Sequence, residues 1–272
     1  MRPCISEATT LPASFEDDVN SCAGAGCPGL EVWLTKLEQH LETHSADETK
    51  KLLADRGVTL AAAAYQGGLL LSQGEQRKAH FDHFRRRLDL CQFFGVSTLL
   101  LAPDFAEQVD ETSLGRAVAS LREAARWAQA SGVRLALEFR GGDRLCASIP
   151  TALMLASACG EPNVGVCLDV FHYYTGPSKA EDFALLTRDN LFHVQVCDLC
   201  GVPRELAGDA QRILPGDGDL MLQPIMEQLR RIGYDGWVSL ELMNPTLWQL
   251  PAAQVADVGH TSLCRLLGLT SR

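Results

Sequence analysis

No stretch of this 272-residue chain approaches the run of about 18 apolar residues that a membrane-spanning helix requires. The greasiest stretches, such as "STLLLA", are strand-sized. The opening "MRPCISEATTLPASFEDD" meets a glutamate at position 7 and has no apolar core, so no secretory signal is expected. Positive charge is also short: 24 Lys and Arg stand against 34 Asp and Glu, a net charge of −10. A protein that coats a phosphate backbone needs the opposite balance, whereas a small charged substrate needs only one or two placed cations. No proline-rich or low-complexity linker divides the chain, so one domain over residues 1–272 is expected. These absences point to a cytoplasmic protein without membrane or nucleic-acid partners, its ten cysteines reduced and mostly buried. Hydrophobic residues at 46% and charged residues at 21% suit a large buried core.

Eight short apolar runs are present: residues 4–9, 29–34, 58–64, 97–103, 133–139, 164–170, 191–198 and 236–243. Amphipathic segments lie between them. In "DETKKLLADRG", Leu52 and Leu53 share a face and Gly57 supplies the stop; in "SLGRAVASLREAARWAQASG", Leu114, Val118, Leu121 and Ala125 are helically spaced before Gly132. A strand and crossover helix repeated eight times predicts a single (β/α)8 TIM barrel, an α/β fold. The rival, a doubly wound sheet, requires a nucleotide fingerprint. Gly24, Gly26 and Gly29 in "GAGCPG" match G-x-G-x-x-G, but they close a helical segment and precede a strand, the reverse of a dinucleotide loop.

Barrel chemistry gathers at the carboxyl ends of the strands. Four runs carry an acid or amide there: Glu138 in "VRLALEF", Asp169 in "VGVCLDV", Gln195 in "FHVQV" and Glu241 in "WVSLELM". A carboxylate on a buried strand is costly unless it is paired, hydrogen-bonded or metal-bound. Singly, each has a bland account: Asp169 as a turn cap, Glu138 paired with Arg140 or Arg144. Together, on strands 5 to 8, they are expected to converge on one mouth as an all-oxygen shell suited to Mg²⁺ or Mn²⁺.

"LALEF", "CLDVFHYY", "HVQV" and "VSLEL", in that order, resemble the sugar phosphate isomerase/epimerase superfamily of xylose isomerase-like TIM barrels. "PRELAGDAQRILPGDGDLML" and "GYDGWVSLEL" extend the likeness over almost the whole chain. The resemblance implies one divalent cation on Glu138, Asp169, Gln195 and Glu241, with Mn²⁺ or Mg²⁺ favoured and Co²⁺ or Zn²⁺ as alternatives. Most members carry His-x-His on strand 7; Gln195 stands at the second histidine, as in hydroxypyruvate isomerase-like members. An amide oxygen is a competent neutral ligand that favours the harder cations over Zn²⁺. The resemblance further implies that Glu138 and Glu241 act as base and acid on a keto-sugar, keto-polyol or keto-acid, through a cation-stabilised enediolate. It places His172 and Arg204 beside the substrate and makes a homo-oligomer, dimer or tetramer, the expected assembly.

Other residues have competing explanations. His193 shares a strand face with Gln195, one layer lower, and reads as packing or support. Trp33 and Lys36 are pocket-wall candidates or simply core and surface. The amides of "LPGDGDL" could meet an anion, but Asp217 and Asp219 argue against a phosphate. Cys197 and Cys200 form a C-x-x-C on strand 7 without the context of a redox motif or a second pair for zinc. Alternative functions are a dehydratase, decarboxylase or lyase on the same metal site, an endonuclease IV-like repair enzyme, and a non-catalytic binding barrel. Seven histidines and the acidic balance weigh against the repair enzyme.

Overall fold

The computed structural model describes residues 1–105 and 108–269. The strands are β1 Arg2–Ser6, β2 Gly29–Trp33, β3 Thr59–Gln66, β4 Thr98–Leu101, β5 Arg134–Glu138, β6 Val164–Asp169, β7 Leu191–Val196 and β8 Trp237–Leu240. They hydrogen-bond in sequence order as a closed barrel, as the eight apolar runs predict. Parallel neighbours require crossover connections, supplied here by helices. These are α1 Phe15–Gly24, α2 Leu34–His40, α3 Ala46–Arg56, α4 Gly74–Phe94, α5 Glu111–Ala130, α6 Ile149–Cys159, α7 Val170–Thr175, α8 Leu222–Arg231 and α9 Ala252–Leu267. Among the described residues, no helix is long and apolar enough to cross a membrane. The chain divides into two compact units, residues 62–193 and residues 1–61 with 194–272.

In the 62–193 unit, Leu99 pairs with Leu135 across β4 and β5, and Glu138 pairs with Cys167 across β5 and β6. Ala62, Ala64, Leu100, Ala136, Cys167 and Phe192 form a buried cluster. Glu138 and Asp169 stand two residues beyond Ala136 and Cys167, on the same strand faces, so the carboxylates continue this apolar layer toward the strand ends. Helix α5 is capped by Asp110, whose side chain accepts from the Ser113 amide at 2.7 Å. Its buried stripe is Ala117, Leu121, Ala124, Ala125 and Ala128. Leu114 and Val118, expected on that stripe, are only half-buried at its edge; the small alanines take the face that packs closest.

In the other unit, β1 pairs with β2 (Ser6 with Glu31) and with β8 (Cys4 with Ser239), while β7 pairs with β8 (Gln195 with Ser239). "GAGCPG" is a helix stop, as its context predicts: α1 ends at Gly24 and Gly26 has φ +70°. Gly29 then passes so close to its neighbours that a Cβ would lie 2.5 Å from the Trp237 ring. Helix α3 has a Ser45–Glu48 capping box and the expected stop at Gly57, φ 66°. Strand β1 ends at Ser6, short of the apolar run, because the Thr9 amide bonds back to the Ser6 carbonyl at 2.9 Å.

A buried ionic cluster ties this turn to the helices. Lys36 of α2 pairs with Asp18 of α1 and donates to the Thr10 carbonyl at 2.9 Å, while Glu7 accepts from the Trp33 amide at 2.6 Å. Lys36 therefore belongs to this cluster, not to a solvated surface. Burial first, and the Asp18 charge second, raise Glu7 well above the usual carboxylate range. The folded state thus holds a proton that the unfolded chain releases above about pH 4.3, and this contribution to stability is lost as pH rises toward the folded value. Glu7→Gln, which mimics the neutral acid, is expected to raise the urea midpoint relative to wild type more at pH 8 than at pH 5. An equal effect at both pH values would show that Glu7 is charged when folded.

Candidate functional site

Of the expected site residues, Glu138, Asp169 and His172 come together in the 62–193 unit. Glu138 closes β5 and is 7% exposed; Asp169 closes β6, fully buried. Asp169 also caps α7, accepting from the Phe171 amide at 2.8 Å. The turn this cap starts brings His172 back over the strand end, where its Nε2 lies 3.6 Å from both Glu138 Oε1 and Asp169 Oδ2. One donor atom from each of the three residues lies within 4.8 Å of the others. Two carboxylates this close and this buried repel each other unless a cation or shared protons compensate, so the donor set fits a divalent ion. Arg140 extends the cluster: its Nε is 3.9 Å from Glu138 Oε1, and its guanidinium lies 5.4 Å from the centre of the Tyr65 ring.

Gln195 and Glu241 come together in the other unit. Gln195 is fully buried in β7, and Glu241 is the first residue beyond β8, 6% exposed. Gln195 Nε2 donates to Glu241 Oε1 at 2.9 Å and to Glu31 Oε1 at 3.0 Å. Glu31, on β2, is fully buried too. The other oxygen of Glu241 accepts from Arg212 Nη1 at 2.9 Å, and Arg212 is anchored in turn by Asp209 at 2.6 Å.

Arg204, the arginine expected at the substrate, is exposed on a 3-10 turn. Eight residues later Arg212, 1% exposed, is the guanidinium that reaches a candidate catalytic carboxylate. Both Arg212 and Glu31 escaped the sequence reading. Glu31 carried the same signal as Glu138, an acid inside an apolar run. Arg212 lies in an irregular loop, where no periodicity marks it.

The loop "LPGDGDL" already has its anion. Asp198 accepts from the amides of Leu199 and Leu220 through Oδ1 and of Gly216 through Oδ2, each at 2.9 Å. A Cβ on Gly218 would sit 2.4 Å from Asp198 Oδ1, so glycine is required there. Cys197 is buried and Cys200 exposed, both as free thiols, and His193 is buried at 1% exposure.

A closed eight-stranded parallel barrel with acids at the ends of its strands defines a class of enzyme scaffold before any relative is considered. Residues 19–264 match the Xylose isomerase-like TIM barrel family, and the chain belongs to that family. It is 26% identical over 262 residues to an inosose isomerase of Bacillus velezensis, covering 93% of this chain and 92% of the relative. It is 25% identical over 269 residues to a 3-dehydroshikimate dehydratase of Pseudomonas putida, covering 96% of this chain but 40% of that protein. A crystal structure of the IOLI protein with a binding zinc atom superposes with a TM-score of 0.93 at 24% identity, covering 98% of each chain. The protein is an enzyme of this isomerase and epimerase family, in which dehydratases also occur.

Proposed function

We propose that this enzyme is a divalent-metal-dependent isomerase or epimerase of a keto-sugar or related keto-polyol or keto-acid. In this reading Glu138, Asp169, Gln195 and Glu241 hold the ion, with Mn²⁺ or Mg²⁺ preferred. The protein works in the cytoplasm as a homo-oligomer. The observation that carries the reading is the tight Glu138–Asp169–His172 cluster. The succession of donors along β5, β6, β7 and β8 of a closed barrel supports it, as does the zinc in the IOLI protein.

When bound, the cation polarises a substrate carbonyl and lowers the cost of charge on its oxygen. Glu138 takes the proton beside that carbonyl and Glu241 returns one, or the reverse: to the former carbonyl carbon in an isomerisation, with the hydroxyl proton passing to the former carbonyl oxygen, or to the opposite face of the same carbon in an epimerisation. Arg212 holds one oxygen of Glu241 through a single hydrogen bond from Nη1, while Asp209 takes its Nε and Nη2. His172 holds a substrate hydroxyl, and Arg204 meets the distal oxygens from its loop.

The test is a panel of keto-sugars and keto-acids with Mn²⁺, following C2-proton exchange and loss of water separately. Exchange with isomer formation supports the proposal. Water loss favours the second reading, a dehydratase, which the Pseudomonas relative motivates. Gln195→Leu is expected to leave the barrel folded and to weaken Mn²⁺ binding by more than the about 10–100-fold typical of an outer-shell partner. Titration calorimetry checks it; wild-type affinity would remove Gln195 from the ligand set.

A further inference from the structure

The geometry points to Glu31 as the positioning residue that turns the amide of Gln195 so that its oxygen, not its nitrogen, is presented to a cation. This inference rests on the reading of Gln195 as a ligand. A glutamine side chain offers one electron-pair donor, Oε1, and one group that cations repel, the NH₂. The two ends of the amide have nearly the same shape, so packing alone does not choose between them. Charge does. Nε2 is held between Glu31 Oε1 at 3.0 Å and Glu241 Oε1 at 2.9 Å, two acceptors with no proton to give when ionised. Both N–H bonds of one branch are thereby engaged by carboxylates, and the oxygen occupies the other branch of the planar group.

Glu31 is well placed for this task. It is fully buried on β2, next to Ser6 of β1, and its own backbone carbonyl accepts from the Glu7 amide at 3.0 Å, which fixes the strand end. Metal-ligating imidazoles are commonly oriented by a carboxylate that accepts from the ring nitrogen away from the metal. Here the same device serves an amide. An imidazole ligated through one nitrogen has a single remaining N–H, whereas the amide satisfies two carboxylates at once. Glutamine at 195 and glutamate at 31 are thus a matched pair.

The experiment measures Mn²⁺ binding by titration calorimetry, and melting temperature with and without Mn²⁺, for Glu31→Leu, Glu31→Gln and the control Gln195→Leu. Glu31→Leu removes the acceptor and is expected to weaken Mn²⁺ binding about 10–100-fold. Glu31→Gln still accepts through its amide oxygen and is expected to recover most of that loss. The metal-free melting temperature should change much less than the rise on adding Mn²⁺. Wild-type affinity in Glu31→Leu, with Gln195→Leu impaired, would overturn the inference. A loss in Glu31→Gln as large as in Glu31→Leu would also overturn it, because charge and not orientation would then be the cause. Wild-type affinity in Gln195→Leu would instead defeat the underlying reading of Gln195 as a ligand. Should Glu31→Leu not fold, the swapped pair Glu31→Gln with Gln195→Glu restores the hydrogen bond with reversed polarity. It must bind Mn²⁺ more tightly than Gln195→Glu alone, or the inference fails.

Discussion

Glu138→Gln is expected to lower kcat for C2-proton exchange by about 10²–10⁴-fold, the usual worth of a general acid or base. The substitution is nearly isosteric, and it keeps an oxygen at the end of β5 while removing the carboxylate proposed to accept the proton. Glu138 is 7% exposed and stands 3.6 Å from His172 Nε2, so the change asks little of its surroundings. Mn²⁺ should still bind, because an amide oxygen remains a donor. Exchange kinetics and metal titration on the same preparation separate the two roles. Wild-type exchange would dismiss Glu138 as the base, and a loss of exchange that merely tracks a loss of Mn²⁺ would reduce it to a ligand.

The largest effect on stability is expected from Lys36→Met. The ion pair with Asp18 is buried on both sides, 8% and 1% exposed at the side chains, and Asp18 is held further by Thr10 Oγ1 at 2.6 Å. Methionine fills much of the same space but leaves the carboxylate buried without its cation, which costs about 3–5 kcal/mol. Burial already raises the Asp18 pKa and Lys36 is the main influence opposing it, so the variant should raise it further. Urea unfolding measures the loss. Adding Asp18→Asn, which discharges the stranded acid, is expected to recover a large part of it. A single variant within about 1 kcal/mol of wild type would mean the pair is no more than an exposed salt bridge in its energetics.

The eight strands were legible because Val, Ile and Leu runs of strand length, spaced by amphipathic segments, leave few other folds open. Their ends were less so. The runs at residues 4–9 and 236–243 continue past the ends of β1 at Ser6 and β8 at Leu240, and in both the next residue is an acid, Glu7 or Glu241, whose amide makes one more bond to the neighbouring strand. The acids at the ends of β5 and β6 could be read because a charge inside an apolar run is conspicuous. Glu31 carried that signal, but its role depends on a partner 164 positions away, which no local pattern supplies. The burial of Arg212 was out of reach for a similar reason. It accompanies the antiparallel bridge of Asp198 with Ile213, the residue next to Arg212, which no local pattern announces.

That same Asp198 has a consequence for competition among ligands. An anion tethered within the chain meets its three amide donors without the association cost that a dissolved anion must meet. Cellular phosphate, sulfate buffers and phosphorylated sugars all meet a position already taken. The amides of Leu199, Gly216 and Leu220 are thereby withheld from a phosphate.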